Sequence, residues 1–546
     1  MKKQIKLKQE RLNRFHKFAF VCTVLVSLLG TSCNKDDFDA SLLEPPAWEP
    51  EVAFPLVYTE IGISDLVQVN DSNTILTVDP DQFCTLIYQG RAFELSATQL
   101  VNAPDQSFQR QYSLNNSQIL TLGNTGQVQV QKTQNLDFNF SQGVEIDTLF
   151  LKSGELELSI NSDFPLNGTV QVQIPGMTRN GLPFDETLSL NYSGNIPVNA
   201  LKSVLLSGYK IDYTEGGMSH NKLNINYTIS LAGSSLGVST NNTIICKAEF
   251  AATEYSLVYG YVGQQSLANM QDSIEISIFN NSFGTGSFSI AEPKVRFDVS
   301  NSIGIPFYAK LNQLTALNGN LTNFVVASGI PDPLPVISPS ISQMGQVIQS
   351  SFTIDKDNSN VLALIDQQPK YIISQSQVTT NPAGRTVNFL SDTSRIAMDI
   401  HVELPFFGTA NDFRIKDTVP FSYNDLNNVE ELTLRMGLEN GFPLESSIQL
   451  IFVDDNMNSL DTLFLPGEVV IPSGTVDMVS GRVTVPGKKI HNHVFPRSRI
   501  EKIISASHIL IIASATSFNN GNSNVKIYND YKLKLKIGAI AKMKIQ

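Results

Sequence analysis

The sequence predicts an all-β fold: several stacked β-sandwich or β-roll modules with very little helix. Three observations carry that expectation. Apolar and polar residues alternate in many short runs, turn-forming residues fall between the runs, and helical periodicity is scarce beyond the first 32 residues. With 546 residues, 42% of them hydrophobic and 16% charged, the chain can build several domains and bury their cores.

The alternating runs include Leu156-Glu-Leu-Ser-Ile160, Val170-Gln-Val-Gln-Ile174, Leu223-Asn-Ile-Asn-Tyr227, Val295-Arg-Phe-Asp-Val299 and Lys532-Leu-Lys-Leu-Lys-Ile537. Successive side chains of a strand point to opposite faces, so each run has one face for a core and one for solvent. Asn-Gly, Gly-Asn, Asn-Asn and Ser-Gly pairs between them supply the backbone angles that hairpins need. The best helical candidate is Asn360-Val-Leu-Ala-Leu-Ile-Asp366, a turn or two that Asn358 or Ser359 could cap.

One pattern recurs. An alternating strand reaches Asn, an apolar-Pro-apolar kink follows, and a second alternating strand begins. Full copies centre on Phe164-Pro165-Leu166, Ile305-Pro306-Phe307 and Phe442-Pro443-Leu444, after Asn161, Asn301 and Asn440. Phe54-Pro55-Leu56 and Leu404-Pro405-Phe406 are partial copies, and the spacing over all five is too irregular for a solenoid or propeller. Proline cannot donate to a ladder, so each kink belongs at a strand end or sheet edge. The pattern loosely resembles the water-stress and late-embryogenesis β-sandwich modules. Soft boundaries then divide the chain into modules 51–150, 151–290, 291–390 (with the short helix) and 391–546.

The amino terminus reads as an address. A basic stretch precedes the apolar run Phe18–Leu29, which suits a signal-peptide core and is short for a membrane-spanning helix. Gly30-Thr31-Ser32-Cys33 resembles a bacterial lipobox, although Gly30 stands where Leu is more usual. That resemblance implies cleavage after residue 32 and acylation of Cys33, with 33–50 as a tether stiffened by Pro45, Pro46 and Pro50. Asn34-Lys35-Asp36-Asp37-Phe38-Asp39 resembles the Lys-plus-acidic export signal of Bacteroidota surface lipoproteins, with Lys35, Asp36 and Asp37 as its core. The mature chain as a whole looks like the uncharacterised β-rich lipoproteins of that group. The resemblance implies an outer-membrane, cell-surface location and brings no activity with it.

Residues 1–32 hold seven of the 39 Lys/Arg and one of the 51 Asp/Glu, so their removal moves the net charge from -12 to -18. Such an acidic chain is a poor match for nucleic acid, which requires clustered cations. Once Cys33 is acylated, Cys84 and Cys246 remain as a lone pair. They form either one disulfide or two separate buried thiols.

Candidate chemistry is sparse. Gly233-Ser-Ser-Leu-Gly237 fits a nucleophile elbow, but a strand rather than the required helix follows it. His491 and His493 would share one strand face and could hold a metal, yet no carboxylate or thiol lies close in sequence, and two exposed histidines are the simpler reading. Asp355, Asp357, Ser359 and Asp366 loosely imitate a calcium loop, although Asn360 replaces the usual Gly and a capped helix start also explains them. Four Asp-Ser/Thr-apolar triplets begin at Asp147, Asp272, Asp417 and Asp461 and resemble the O-glycosylation acceptors of Bacteroidota envelope proteins. Each also begins a plausible strand.

No metal, cofactor or enzymatic activity is therefore expected. The sequence points to a non-catalytic surface lipoprotein of the outer membrane: a scaffold, an adhesin or an accessory subunit of a membrane complex. Its expected partners are the membrane, through the lipid, and an envelope protein such as a β-barrel. The alternative is a surface glycan-binding protein of a nutrient-uptake system. Against it, the single Trp is Trp48 in the tether, and glycan clefts favour stacked Trp and Tyr.

Overall fold

The computed structural model describes residues 50–66, 73–140, 143–279, 286–318, 328–420, 429–464, 470–477 and 479–543. Cys33, Lys35, Asp36, Asp37 and Trp48 lie outside the described residues. The fold is all-β, built from antiparallel pairs with a few short helices.

Strand pairing resolves into three sandwiches of one plan. In the inner sandwich, one sheet runs Val198–Leu205, Glu145–Ser162, Thr243–Tyr261, Gln106–Ser113. The other runs Gln127–Asp137, Lys222–Ala232, Asn167–Arg179, Leu182–Leu190. The short strand Lys210–Asp212 pairs with both halves and makes them continuous.

The middle sandwich repeats the order. Ile348–Ile354, Lys294–Asn301, Arg395–Pro405 and Cys84–Ser96 face Ser266–Glu275, Tyr371–Thr380 and Phe307–Leu317. The third, here the anchor sandwich, sets Gly487–Pro496, Val429–Asn440, Leu533–Met543 and Glu51–Ile61 against Phe413–Pro420, His508–Ser517 and Leu444–Val453.

The sandwiches are nested. In each, a strand that opens the unit pairs with the last: Gln106–Ser113 with Thr243–Tyr261, Cys84–Ser96 with Arg395–Pro405, and Glu51–Ile61 with Leu533–Met543. In the middle unit Thr74–Val78 precedes Cys84–Ser96 and pairs along its other edge. The inner unit is inserted after the opening hairpin of the middle one, Thr74–Val78 with Cys84–Ser96, and both are inserted after the first strand of the anchor one. Sheets therefore run across the boundaries drawn near 150, 290 and 390, and Glu145–Ser162 itself passes through 150. Strand pairing over such separations leaves no local mark in the sequence.

Packing follows the nesting. One continuous core runs through the inner and middle sandwiches, and a second, around Met436, Leu438, Phe452, Phe495, Ile500 and Ile503, fills the anchor sandwich. Two chain crossings join each neighbouring pair, and side chains bind the junctions. Arg385 reaches Glu145 at 2.6 Å and Lys152 reaches Asp392 at 2.6 Å between inner and middle. Between middle and anchor, Ile527 N donates to Phe406 O at 2.9 Å and Cys84 N donates to Ile527 O at 3.3 Å. There the Arg482 guanidinium also lies 4.0 Å from the Tyr528 ring centre.

The proline kinks occupy one equivalent position in all three sandwiches, and a buried polar side chain sets each. Asn301 Oδ1 accepts from Ile303 N and Asn440 Oδ1 from Phe442 N, both at 2.9 Å. Their amides donate onward, Asn301 to Ile337 O at 3.1 Å and Asn440 to Leu444 O at 2.7 Å. In the inner copy the residue is Ser162, whose Oγ accepts from Phe164 N at 3.2 Å, while the amide of Asn161 turns outward to Asn199. Each turn satisfies a backbone N–H that burial would otherwise leave unpaired, at a cost of about 1–3 kcal/mol.

The helix Asn116–Thr125 was not read from alternation. Its signals are the capping box of Asn115 with Gln118 and the left-handed Gly126 that ends it, φ 73°.

The strands named for the inner sandwich all lie within residues 97–265, whereas the middle sandwich cut at residue 266 loses Thr74–Val78 and Cys84–Ser96, two of the five strands of one sheet. A fragment 97–265 should therefore melt cooperatively and a fragment 266–405 should not. Circular dichroism melts of the two fragments check this, and the reverse result would contradict the nesting.

Candidate functional site

The feature that the topology assembles from the most distant parts of the chain is the outer face of the anchor sheet. On its inner side Met436, Leu438, Phe495, Ala539 and Ala541 are buried. The outward residues form rows across the sheet. Ala53, Ile540, Thr433 and Val494 make one row. Tyr58, Lys536, Gly437 and Ile490 make another, and Pro55, Gly538, Arg435 and Asn492 lie between them.

These central rows expose apolar area: Ile490 is 65% exposed, Tyr58 62% and Val494 46%. Gly437 and Gly538 keep the centre low, since neither carries a Cβ. The flanking rows are charged. Glu60, Lys534, Glu439 and Lys488 line one side, with both lysines within 3.7 Å of Glu439. Glu51, Lys542, Glu431 and Pro496 line the other. Exposed apolar side chains interspersed with Lys536 and Arg435 and flanked by charged rows give the mixed anatomy of a protein-docking surface.

Within the face, Lys536 Nζ lies 5.4 Å from the Tyr58 ring centre. The Tyr58 hydroxyl donates to Glu60 at 2.6 Å, and that bond raises its pKa. The sequence showed the alternation of the last strand, but nothing local shows that four segments between 51 and 543 share a face.

The residues singled out for chemistry do not converge. Gly233–Gly237 is the turn between Lys222–Ala232 and Thr243–Tyr261, with strand on both sides. Asp355 Oδ1 accepts from Asp357 N at 3.0 Å, and Ser359 Oγ donates to Asp355 O at 2.7 Å, a turn that leads into the helix Val361–Ile365. Asp366 accepts instead from Ser289 at 2.8 Å, on a separate strand. Cys84 and Cys246 are buried free thiols in different sandwiches, so the structure takes the second of the two alternatives. Burial pushes the Cys84 thiol up to about 11 and that of Cys246 up to about 12. The Asp-Ser/Thr triplets all fall on strands.

The histidines differ from expectation. They do not sit on the solvent face of Gly487–Pro496 but point inward, edge-on to Phe464 at 5.6 and 5.9 Å between ring centres. Arg499, on the helix Arg497–Ile504, holds the arrangement together. It donates to His493 Nε2 at 2.8 Å, to both Asp461 oxygens at 2.8–3.2 Å, and stacks on Phe495 at 4.6 Å. A guanidinium can only donate, so His493 Nε2 must be the acceptor. Among the described residues no group of three His, Cys, Asp or Glu is placed to hold a metal ion, and no helix is long and apolar enough to cross a membrane.

No protein-family model matches the chain, and no curated protein matches it. Among solved structures, a protein of Parabacteroides distasonis ATCC 8503, inferred to be secreted, is 10% identical. The match covers 90% of this chain and 99% of that one, at a TM-score of 0.26. A triple jelly-roll protein of an archaeal virus turret is also 10% identical, covering 80% and 95% at a TM-score of 0.09. At those scores neither likeness carries an argument about fold or function.

The Asp461–Arg499 pair yields a pH prediction. Burial works to raise the Asp461 pKa, but Arg499 and the Thr462 N–H outweigh it and hold it below 3.8. A carboxyl depressed in the folded state contributes stability above its unfolded pKa of about 3.9, and that contribution is lost as pH falls through the folded value. Asp461→Asn should therefore destabilise the anchor sandwich by about 1–3 kcal/mol at neutral pH. Urea melts should show the gap from wild type closing below about pH 3.8, and a gap independent of pH would contradict the assignment.

Proposed function

We propose that this chain is a non-catalytic lipoprotein of the outer-membrane surface that holds an envelope protein, such as a β-barrel of the same membrane, through the outer face of its anchor sheet. The observation that carries the reading is where the nesting puts the chain ends. Glu51, the first strand residue after the tether, pairs with Lys542 beside the last strand residue, so the tether enters at the anchor sandwich. With Cys33 acylated and a tether of residues 33–50, that sandwich lies nearest the bilayer, and the middle and inner units are carried away from it. Two chain crossings at each junction resist the swivelling that a single linker would permit.

The face then sits where a neighbour in the same membrane can reach it. Its exposed Tyr58, Ile490, Val494 and Ile540 supply anchor residues for a docked protein, and the charges among and beside them, Lys536 and Arg435 included, set register and exclude mismatched partners.

Two measurements test the reading. If Cys33 carries the lipid, Cys33→Ala should remove metabolic lipid label from the mature band and release the protein from membranes. Unchanged labelling would end the anchoring argument. Crosslinking on intact cells should recover one dominant envelope protein in near-stoichiometric amount. Ile490→Lys with Val494→Lys should reduce that recovery about tenfold while the melting temperature stays close to wild type, because both side chains are exposed. Equal recovery with the variant would place docking elsewhere, and recovery of no partner would remove the scaffold reading.

A further inference from the structure

The two outer faces of the inner sandwich differ in chemistry. On the face formed by Val198–Leu205, Glu145–Ser162, Thr243–Tyr261 and Gln106–Ser113, the outward residues include Glu155, Glu157, Lys247 and Glu249. On the opposite face, every outward residue from Gln127 to Asn135, Asn224 to Ser230, Thr169 to Gln173 and Asp185 to Ser189 is Gln, Asn, Ser or Thr, with Asp185 as the one exception. Asp185 is already engaged, accepting from the Gln171 and Gln173 amides at 2.8 Å each. In a chain of net charge -12, this face presents almost no free charge and no apolar side chain.

It is also regular and held in place. Gln127–Asp137 and Lys222–Ala232 pair without a break from end to end, and Asn167–Arg179 continues the register on the other side. Row follows row across four strands, as in Gln131–Thr228–Gln171–Thr187. Rows of this kind repeat at about 6.6–6.8 Å along the strands and about 4.8 Å across them. Beneath them Val128, Val130, Ile225, Ile229, Val170 and Val172 are buried, which fixes the sheet. Side-chain bonds such as Thr133 to Asn226 at 2.8 Å and Gln129 to Ser230 at 3.2 Å order several of the polar groups in advance.

Charge and chemistry narrow the occupant. Nucleic acid or an acidic polymer needs clustered cations, and this face has one, Lys222 at its end, held 3.9 Å from Asp137. A membrane surface needs an apolar or basic face. A protein partner needs apolar or aromatic anchors in its hot spots, also missing here. What remains complementary is a ligand that is neutral, long enough to cross several rows, able to donate and accept hydrogen bonds along its whole length, and held on an open face by those bonds alone, without the aromatic stacking that a glycan cleft uses. Amides and hydroxyls do both, and their prior ordering limits the entropy lost on binding. We propose that this face of the inner sandwich binds a neutral polysaccharide, lying across the strands and held by many parallel amide and hydroxyl contacts. The site is separate from the anchor sheet, so its test and that of partner docking are independent.

The test uses the full-length lipidated protein in detergent, with native affinity electrophoresis in gels containing dextran, mannan or alginate. Retardation by dextran or mannan, and none by the acidic alginate, is the expected result. Gln131→Ala with Gln171→Ala should weaken the apparent Kd about tenfold, since each net hydrogen bond contributes roughly a factor of two to ten. Thr228→Lys should weaken it at least as much by placing a charge at the centre. Near-wild-type melting of both variants shows that the sheet is intact. No retardation by either neutral polymer, retardation by alginate alone, or retention unchanged in both variants overturns the proposal. So does capture of a protein on this face that the same substitutions release.

Discussion

The structure depends on one constraint, the antiparallel pairing of an opening strand with the last strand of each sandwich around everything inserted between them. Glu51–Ile61 meets Leu533–Met543 only if the chain between them returns to within a strand spacing of where it left. Closing such a loop through an unfolded chain costs entropy that grows with the logarithm of its length. An insert that is already folded brings its own ends together, as Leu100 and Gln265 show, whose backbone carbonyl and side-chain amide meet at 3.0 Å where the inner unit leaves and rejoins the middle one. Each sandwich thus supplies the short connection that the next needs.

The buried polar turns make the plan repeatable. A strand that ends inside a core exposes backbone donors where water cannot reach, and Ser162, Asn301 and Asn440 answer that need at the same place in each unit. A further buried pair, Asn381 with Asn388, exchanges two amide hydrogen bonds at 2.9 Å and fixes the returning chain beside Val262 and Gly263. Buried amides of this sort destabilise when half satisfied, so they select one arrangement of strands over near alternatives.

Charge is distributed unevenly over this framework. The anchor face sets Lys536 and Arg435 among exposed apolar side chains and flanks them with rows of Lys and Glu, whereas one face of the inner sandwich carries almost no charge. Since one topology underlies both, the contrast belongs to the outward positions alone, which packing leaves free to vary. Docking surfaces on such a fold are set by residues with little influence on stability.

The sequence by itself determined the class of fold and the chemistry of its turns. Alternation with period two is local, so Val170–Ile174 and Leu223–Tyr227 announce strands without knowledge of their neighbours, and the Asn-apolar-Pro kink at Asn301 and Asn440 is legible for the same reason. Only the tertiary structure decided which strands pair, that the modules are nested, that Ser162 rather than Asn161 sets the inner turn, and that His491 and His493 point inward against Phe464. A strand's face pattern states that one side is buried. It does not state against what, because the backbone hydrogen bonds that choose a partner are the same for every residue. The candidate docking face was illegible for that reason: Tyr58 comes to share a sheet face with Ile540 and Val494 only through the pairing of Glu51–Ile61 with Leu533–Met543, hundreds of positions away.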